Sequence, residues 1–323
     1  MACFNGSGIR KRRNHIIKII GDILCIGLVC GGAFAIQKGA GTYQRGFFCG
    51  DESIRYPVLP DTISVPLVLS VGLTLPCVVI LAVEFAFRQG CPVMTIIPKS
   101  TGQKMYWLAA AYNAIAVFLF GSVVTQFLTE LGKHSVGRLR PHFLSLCNPD
   151  LEKCSGYMTE FVCRSKDINM LREARLSFPS GHSSFALYSA VYLILYLEGR
   201  LACRAVVLAK PLVQLFFFAL ALYTCLSRIS DYKHHWGDVL AGALLGTVVA
   251  ISLVFSLTHF GKHLCKADFL CWSGRYEKDE EIQATELVST NHQFENKFGH
   301  MTSGDAVHTI ADETRVISIQ ETS

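Results

Sequence analysis

Residues 227–242 read "SRISDYKHHWGDVLAG". The first twelve of them hold Arg228, Lys233, the adjacent His234 and His235, and the two aspartates Asp231 and Asp238. Long apolar runs flank this cluster, Ala205–Leu226 before it and Val239–Phe260 after it. Runs of about 18 or more apolar residues are long enough to span ~30 Å of hydrocarbon. The charges therefore occupy a short turn between two membrane-length segments.

Four further blocks lie toward the N-terminus: Ile16–Ile36, Ile63–Phe87, Tyr106–Leu128 and His182–Leu197. The last is the shortest and must borrow from its flanks. Of the 323 residues, 51% are hydrophobic, and the mean hydropathy is +0.35. The apolar residues come in blocks rather than in amphipathic periods, which argues against a soluble helical bundle. The sequence predicts an all-α polytopic membrane protein with six transmembrane helices. Residues 1–15 form an N-terminal segment, 16–272 the membrane body and 273–323 a tail. That tail is polar, mixed in charge and without a period that would bury a face, so it reads as disordered. The first block is too long for a signal peptide, and no small-residue cleavage site follows it.

Orientation follows from "RKRR", Arg10–Arg13, which precedes the first span and stays in the cytosol by the positive-inside rule. Six spans return the C-terminus to the same side. Loops near 38–62, 129–181 and 227–238 then face the lumen or the extracellular space. The short basic loops near Arg88–Lys104 and Glu198–Arg204 face the cytosol. The outer loop 129–181 is also rich in Lys and Arg, against the rule, and needs a reason. A net charge of +5 with no basic, aromatic-interleaved surface argues against nucleic acid as a partner.

Four of the 13 cysteines, Cys49, Cys147, Cys154 and Cys163, fall in the outer loops. An oxidising compartment permits disulfides among them, and four cysteines allow three pairings. Cys265 and Cys271 follow the last span and read as free or palmitoylated thiols. No cysteine–histidine set has zinc spacing, and no carboxylate set suits Mg²⁺.

Three polar clusters share the outer side. The first is "KHSVGRLRPHF", Lys133–Phe143, after the third span. Lys133 and Arg140 are seven apart, so a helix continuing outward places them on one face, with Pro141 ending it. The second is "SFPSGHSSF", Ser177–Phe185, where Pro-Ser-Gly forms a turn, Ser180 an N-cap and His182 the start of a helix. Free N–H groups at a helix start favour anions. The third is the opening stretch, where His234 and Asp238 are four apart and in reach of each other on a helix. On local geometry alone His235, three residues from Asp238, competes. Taken singly, Lys133, Arg138 and Arg140 read as interfacial anchors, His182 as a capping residue and Asp238 as a charge at a helix start. Together they offer fixed cations, a helix start and two histidines on one side of the membrane. That set suits a phosphate monoester, and it gives the basic outer loop its reason.

The three clusters resemble the signature of the lipid phosphate phosphatase family, the type 2 phosphatidic acid phosphatases. Its pattern, K-x6-RP, PSGH and SR-x5-H-x3-D, is matched by "KHSVGRLRP", "PSGH" and "SRISDYKHHWGD". The stretches "GRLRPHFLSLCNPD" and "RGFFCGDESIRYP" are similar to the animal members, and the resemblance spans about residues 10–265. Animal members often carry a glycosylation sequon in the large outer loop; here the only sequon is at Asn5.

The resemblance implies a metal-independent phosphatase acting on phosphatidate, lysophosphatidate, ceramide 1-phosphate and sphingosine 1-phosphate, with no cofactor. It selects His234 as the nucleophile that forms a phosphohistidine, with Asp238 accepting its Nδ1 proton. It makes His182 the proton donor to the leaving group. Lys133, Arg140 and Arg228, with Ser180 and the amide of Gly181, become the phosphate ligands. It also implies homo-oligomers, and an extracellular site if the enzyme sits in the plasma membrane. Three other readings are a polyisoprenyl diphosphate phosphatase, a catalytically silent scaffold of the same fold and a transporter. Silent relatives lose motif residues, all of which stand here, and transporters place ionisable groups near the midplane rather than at one interface.

Overall fold

Each apolar block forms a helix in the computed structural model, which describes residues 6–88, 106–150, 154–201 and 208–258. They are α1 (Gly6–Gly39), α2 (Val65–Arg88), α3 (Tyr106–Val136), α6 (Gly181–Arg200), α7 (Ala209–Ser230) and α8 (Trp236–Leu257). Among the described residues, five of these are long and apolar enough to cross a membrane. The exception is α6, the shortest predicted span.

The reason is its place at the centre of the bundle. It is 20 residues long, about 30 Å of helix, but its polar side chains meet protein rather than lipid. Tyr188 and Tyr192 are fully buried and donate to the backbone carbonyls of Phe118 and Ala114 at 2.8 and 2.6 Å. Ser184 Oγ lies 2.9 Å from Thr129 Oγ1 on α3. A helix surrounded by other helices needs no lipid-facing apolar surface. Its hydroxyls, which hydrocarbon would leave unpaired, instead donate to backbone carbonyls of α3.

Two small residues set how closely α8 approaches α6. A Cβ on Gly242 would lie 2.4 Å from the Ser180 carbonyl oxygen, and one on Gly246 would lie 2.0 Å from that of Ser184. Only glycine permits this backbone-to-backbone contact. It places the N-terminus of α6 directly beside that of α8.

At this end of the bundle the connecting segments form a small cap. Strand β1 (Phe47–Phe48) pairs antiparallel with β2 (Tyr157–Met158), joined by short helices α4 (Phe143–Cys147) and α5 (Ile168–Glu173). Phe47, Ile54, Leu139, Phe143 and Leu144 form its core. Arg175 sits 5.1 Å from the ring centres of both Phe143 and Phe161. Of the three pairings open to the outer cysteines, the structure has Cys49–Cys154 and Cys147–Cys163. At the opposite end, Glu84, 2% exposed, takes hydrogen bonds from Arg200 Nε at 2.8 Å and Tyr196 at 3.0 Å. The tail 273–323, Cys265, Cys271 and most of the two basic loops lie outside the described residues.

One expectation fails here. Helix α3 stops at Val136 rather than running on to Arg140. Gly137 ends it in the left-handed conformation, φ +55°, and its N–H closes on the Lys133 carbonyl at 3.1 Å. Lys133 and Arg140 therefore do not share a helical face.

Gly246→Ala is expected to destabilise the protein by about 1–3 kcal/mol, because the methyl group forces α8 from α6. Gly31→Ala on α1, where a Cβ meets nothing within 4 Å, is the control expected to hold its stability. Thermal unfolding of the two variants in detergent measures the difference.

Candidate active site

The three motifs are stitched together through their backbones. Leaving α3, the chain turns at Gly137 and runs past residues 172–177: Arg140 N–H donates to the Ala174 carbonyl at 2.8 Å, and Ser177 N–H to that of Arg138 at 3.0 Å. Two residues before α6 the Phe178–Pro179 peptide is cis. Ser180 then caps α6, its hydroxyl oxygen accepting from Ser183 N–H at 3.4 Å. Ser180 N–H in turn donates to the Asp238 carbonyl at 3.0 Å. Helix ends so joined leave the N–H groups of Gly181 and His182 without intrahelical partners.

His234 is 4% exposed and lies just outside α8. Its Nδ1 meets the Ser177 carbonyl oxygen at 2.7 Å. A carbonyl only accepts, so Nδ1 carries the proton and Nε2 keeps its lone pair. The expected acceptor, Asp238, is not the partner. The four-residue spacing requires both residues in one helix, whereas α8 begins at Trp236 with His235 as its cap. The Asp238 carboxylate folds back instead on His235, taking its backbone N–H and meeting Nδ1, each at 3.1 Å. It also accepts from Ser177 Oγ at 2.7 Å and Arg138 Nη1 at 2.6 Å. Asp238 thus reaches His234 only through Ser177.

The cations converge from separate elements. Lys133 Nζ donates to Glu130 at 2.7 Å and would stand 3.4 Å from a Cβ on Gly181, which places it over the PSGH turn. Arg228, 1% exposed, donates to Asp61 and Asp231, each at 2.8 Å. Arg140 feels the charges of Arg228, Asp61 and Asp238, and His182 those of Arg228 and Lys133. Three buried side-chain nitrogens here have no hydrogen-bond partner: Arg140 Nε, His182 Nε2 and His235 Nε2. Unsatisfied buried groups are uncommon and ask for an explanation; an acceptor-rich anion among the cations would satisfy Arg140 Nε and a protonated His182 Nε2.

Sequence reasoning missed Ser177, which stood unassigned in the second cluster, and Asp61, Thr62 and His142. His142 Nδ1 bonds the Tyr232 carbonyl at 2.8 Å, and the Tyr232 ring stacks on Tyr56 at 4.4 Å. Asp61 and Arg228 lie 167 residues apart. Local spacing has no signal for such pairs.

Burial sets the His234 imidazole well below its ordinary value. The positive charges of Arg140 and Lys133 push the same way, against Asp238 and the Ser177 carbonyl. Burial likewise lowers His142 and Arg140. A histidine so depressed stays neutral, and nucleophilic, below the pH at which a free one takes a proton.

A family model described as the PAP2 superfamily matches residues 113–261, which include all three motifs. The chain is 39% identical to phospholipid phosphatase 1 of Rattus norvegicus over 280 residues, covering 85% of this chain and 94% of that one. It is 44% identical to phospholipid phosphatase 2 of Homo sapiens over 245 residues, 75% and 83% of the two chains. Phospholipid phosphatase 2 of Bos taurus gives 44% over 244 residues, 75% and 83%. No solved structure matches.

The His234 resonance in histidine-labelled protein is expected to titrate below the free-imidazole value of about 6.5. Arg140→Gln, which removes a like charge, raises that midpoint. Asp238→Asn, which removes an attractive one, lowers it further. Nitrogen NMR across pH, with His234→Gln to assign the signal, checks both signs.

Proposed function

The chain belongs to the PAP2 superfamily and, within it, to the lipid phosphate phosphatases, and from that premise we propose that it hydrolyses lipid phosphate monoesters through a phosphohistidine on His234. The substrates in this reading are phosphatidate, lysophosphatidate, ceramide 1-phosphate and sphingosine 1-phosphate. The observation that carries it is that two of the unsatisfied buried nitrogens, Arg140 Nε and His182 Nε2, lie among the cations Lys133 and Arg228.

In the first step Nε2 of His234 attacks phosphorus in line and the bond to the lipid oxygen breaks. His182 gives that oxygen a proton. In the second step His182 takes a proton from water, the water oxygen bonds phosphorus, and the P–N electron pair returns to Nε2. Lys133, Arg140 and Arg228 hold the phosphoryl oxygens with the helix start at Ser180 and Gly181. Electrostatic positioning of this kind is the chief demand of phosphoryl transfer, whose uncatalysed monoester reaction is among the slowest known. Fixed cations here do the work that Mg²⁺ does elsewhere. Asp238 acts as a positioning residue, fixing Ser177 and the start of α8.

A lipid phosphate lies where hydrocarbon meets water, and so do the ends of these helices. Charges at the bilayer centre would cost ~2.5–3.5 kcal/mol each on insertion scales. The basic "RKRR" segment favours cytosolic termini, which puts the site on the extracellular or luminal face, with the plasma membrane the preferred location.

Purified protein is expected to release phosphate from phosphatidate with EDTA present, and His234→Ala to lose that release by at least ~10³-fold. Equal release by both proteins contradicts His234 as nucleophile, and release that stops with EDTA contradicts metal independence.

A further inference from the structure

Arg228, a phosphate ligand in the function proposed above, is already neutralised in this structure, and its two carboxylate partners are not alike. Asp231 has a side chain only 8% exposed. It is pinned by Thr62, whose backbone N–H and hydroxyl donate to it at 2.8 and 2.7 Å. Asp61 has a side chain 41% exposed. Its other ion pair is a loose one, 3.9 Å from Lys233 Nζ. Among the described residues no backbone or hydroxyl group donates to it. Its charge is nonetheless felt by Arg140, His142 and His182. An exposed, lightly held carboxylate thus stands among the cations that would grip a phosphate.

We propose that Asp61 is an internal competitor for the phosphate subsite. It holds Arg228 and Lys233 while the site is empty and yields them to a phosphate dianion, and so sets how tightly that dianion is held. The inference rests on the reading of Arg228 as a phosphate ligand. A buried guanidinium without a counter-ion is costly, and Asp231 is the fixed one that Arg228 keeps throughout. Asp61 is a second carboxylate on the same guanidinium, shared with Lys233, and solvent at its exposed side receives it when phosphate arrives. The same group speeds turnover at the end of the cycle. Inorganic phosphate is a dianion too, and Asp61 recapturing Arg228 helps to expel it.

The test uses the full chain in detergent, with inorganic phosphate as the probe. Two quantities are read: the product-inhibition constant for phosphate and the shift in thermal midpoint that phosphate produces, which needs no turnover. Asp61→Asn and Asp61→Ala are expected to bind phosphate about tenfold or more tighter, well within what one like charge removed at short range is worth in an effective dielectric of ~20. KM falls with it. Asp61→Glu keeps the wild-type phosphate affinity. Thr62→Val loosens the same loop without changing its charge, and gains no affinity. Phosphate affinity unchanged or weakened in the Asn and Ala variants overturns the proposal, as does their failure to fold, because a displaceable pair cannot be one on which the fold depends. The two readings fail separately. Tighter phosphate in Asp61→Asn, in a protein that turns over no lipid phosphate, supports the competitor and overturns the lipid phosphatase. Lipid turnover without tightening overturns the competitor alone.

Discussion

A carboxylate with no solvent exposure has to find its partners inside the protein, and Asp238 draws them from all three motifs. Arg138 comes from the segment after α3, Ser177 from the approach to α6, and His235 from the cap of α8. Removing one partner from a buried ion pair leaves an uncompensated charge, which costs far more than an exposed pair is worth. The motif segments are therefore held against one another by a shared electrostatic need. Once Ser177 is fixed, its carbonyl fixes the His234 tautomer.

The bundle makes that arrangement possible by bringing two helix starts together. Gly242 and Gly246 let α8 lie against the α6 backbone, so the second and third motifs meet at one end. The disulfides Cys49–Cys154 and Cys147–Cys163 tie down the cap that carries Arg140 and Asp61 toward the same place. Flexibility in those segments would blur the spacing of the cations. In the proposed mechanism, rigidity there lets the fixed charges meet a phosphoryl group without reorganising during the reaction.

Much of this was legible in the sequence. The apolar blocks gave five membrane-length helices and a sixth at the bundle centre, and Ser180 reads as an N-cap from its turn alone. What local pattern could not give was the partner of each charged group. The four-residue spacing of His234 and Asp238 implied a direct bond, but a helix start falls between them, so the spacing lost its meaning. Lys133 and Arg140 misled in the same way, because Gly137 ends the helix first. Asp61 was invisible for another reason: its partner Arg228 is brought to it only by the packed fold.

The central claim is that His234 Nε2 takes the phosphoryl group. The direct measurement is to react the protein briefly with lysophosphatidate labelled in its phosphate, quench in alkali, where a P–N bond survives, and map the label by mass spectrometry. The account predicts one labelled site, His234, with more label retained in His182→Ala, where water attack is slowed. Label on His235, or turnover with no labelled histidine, would contradict it.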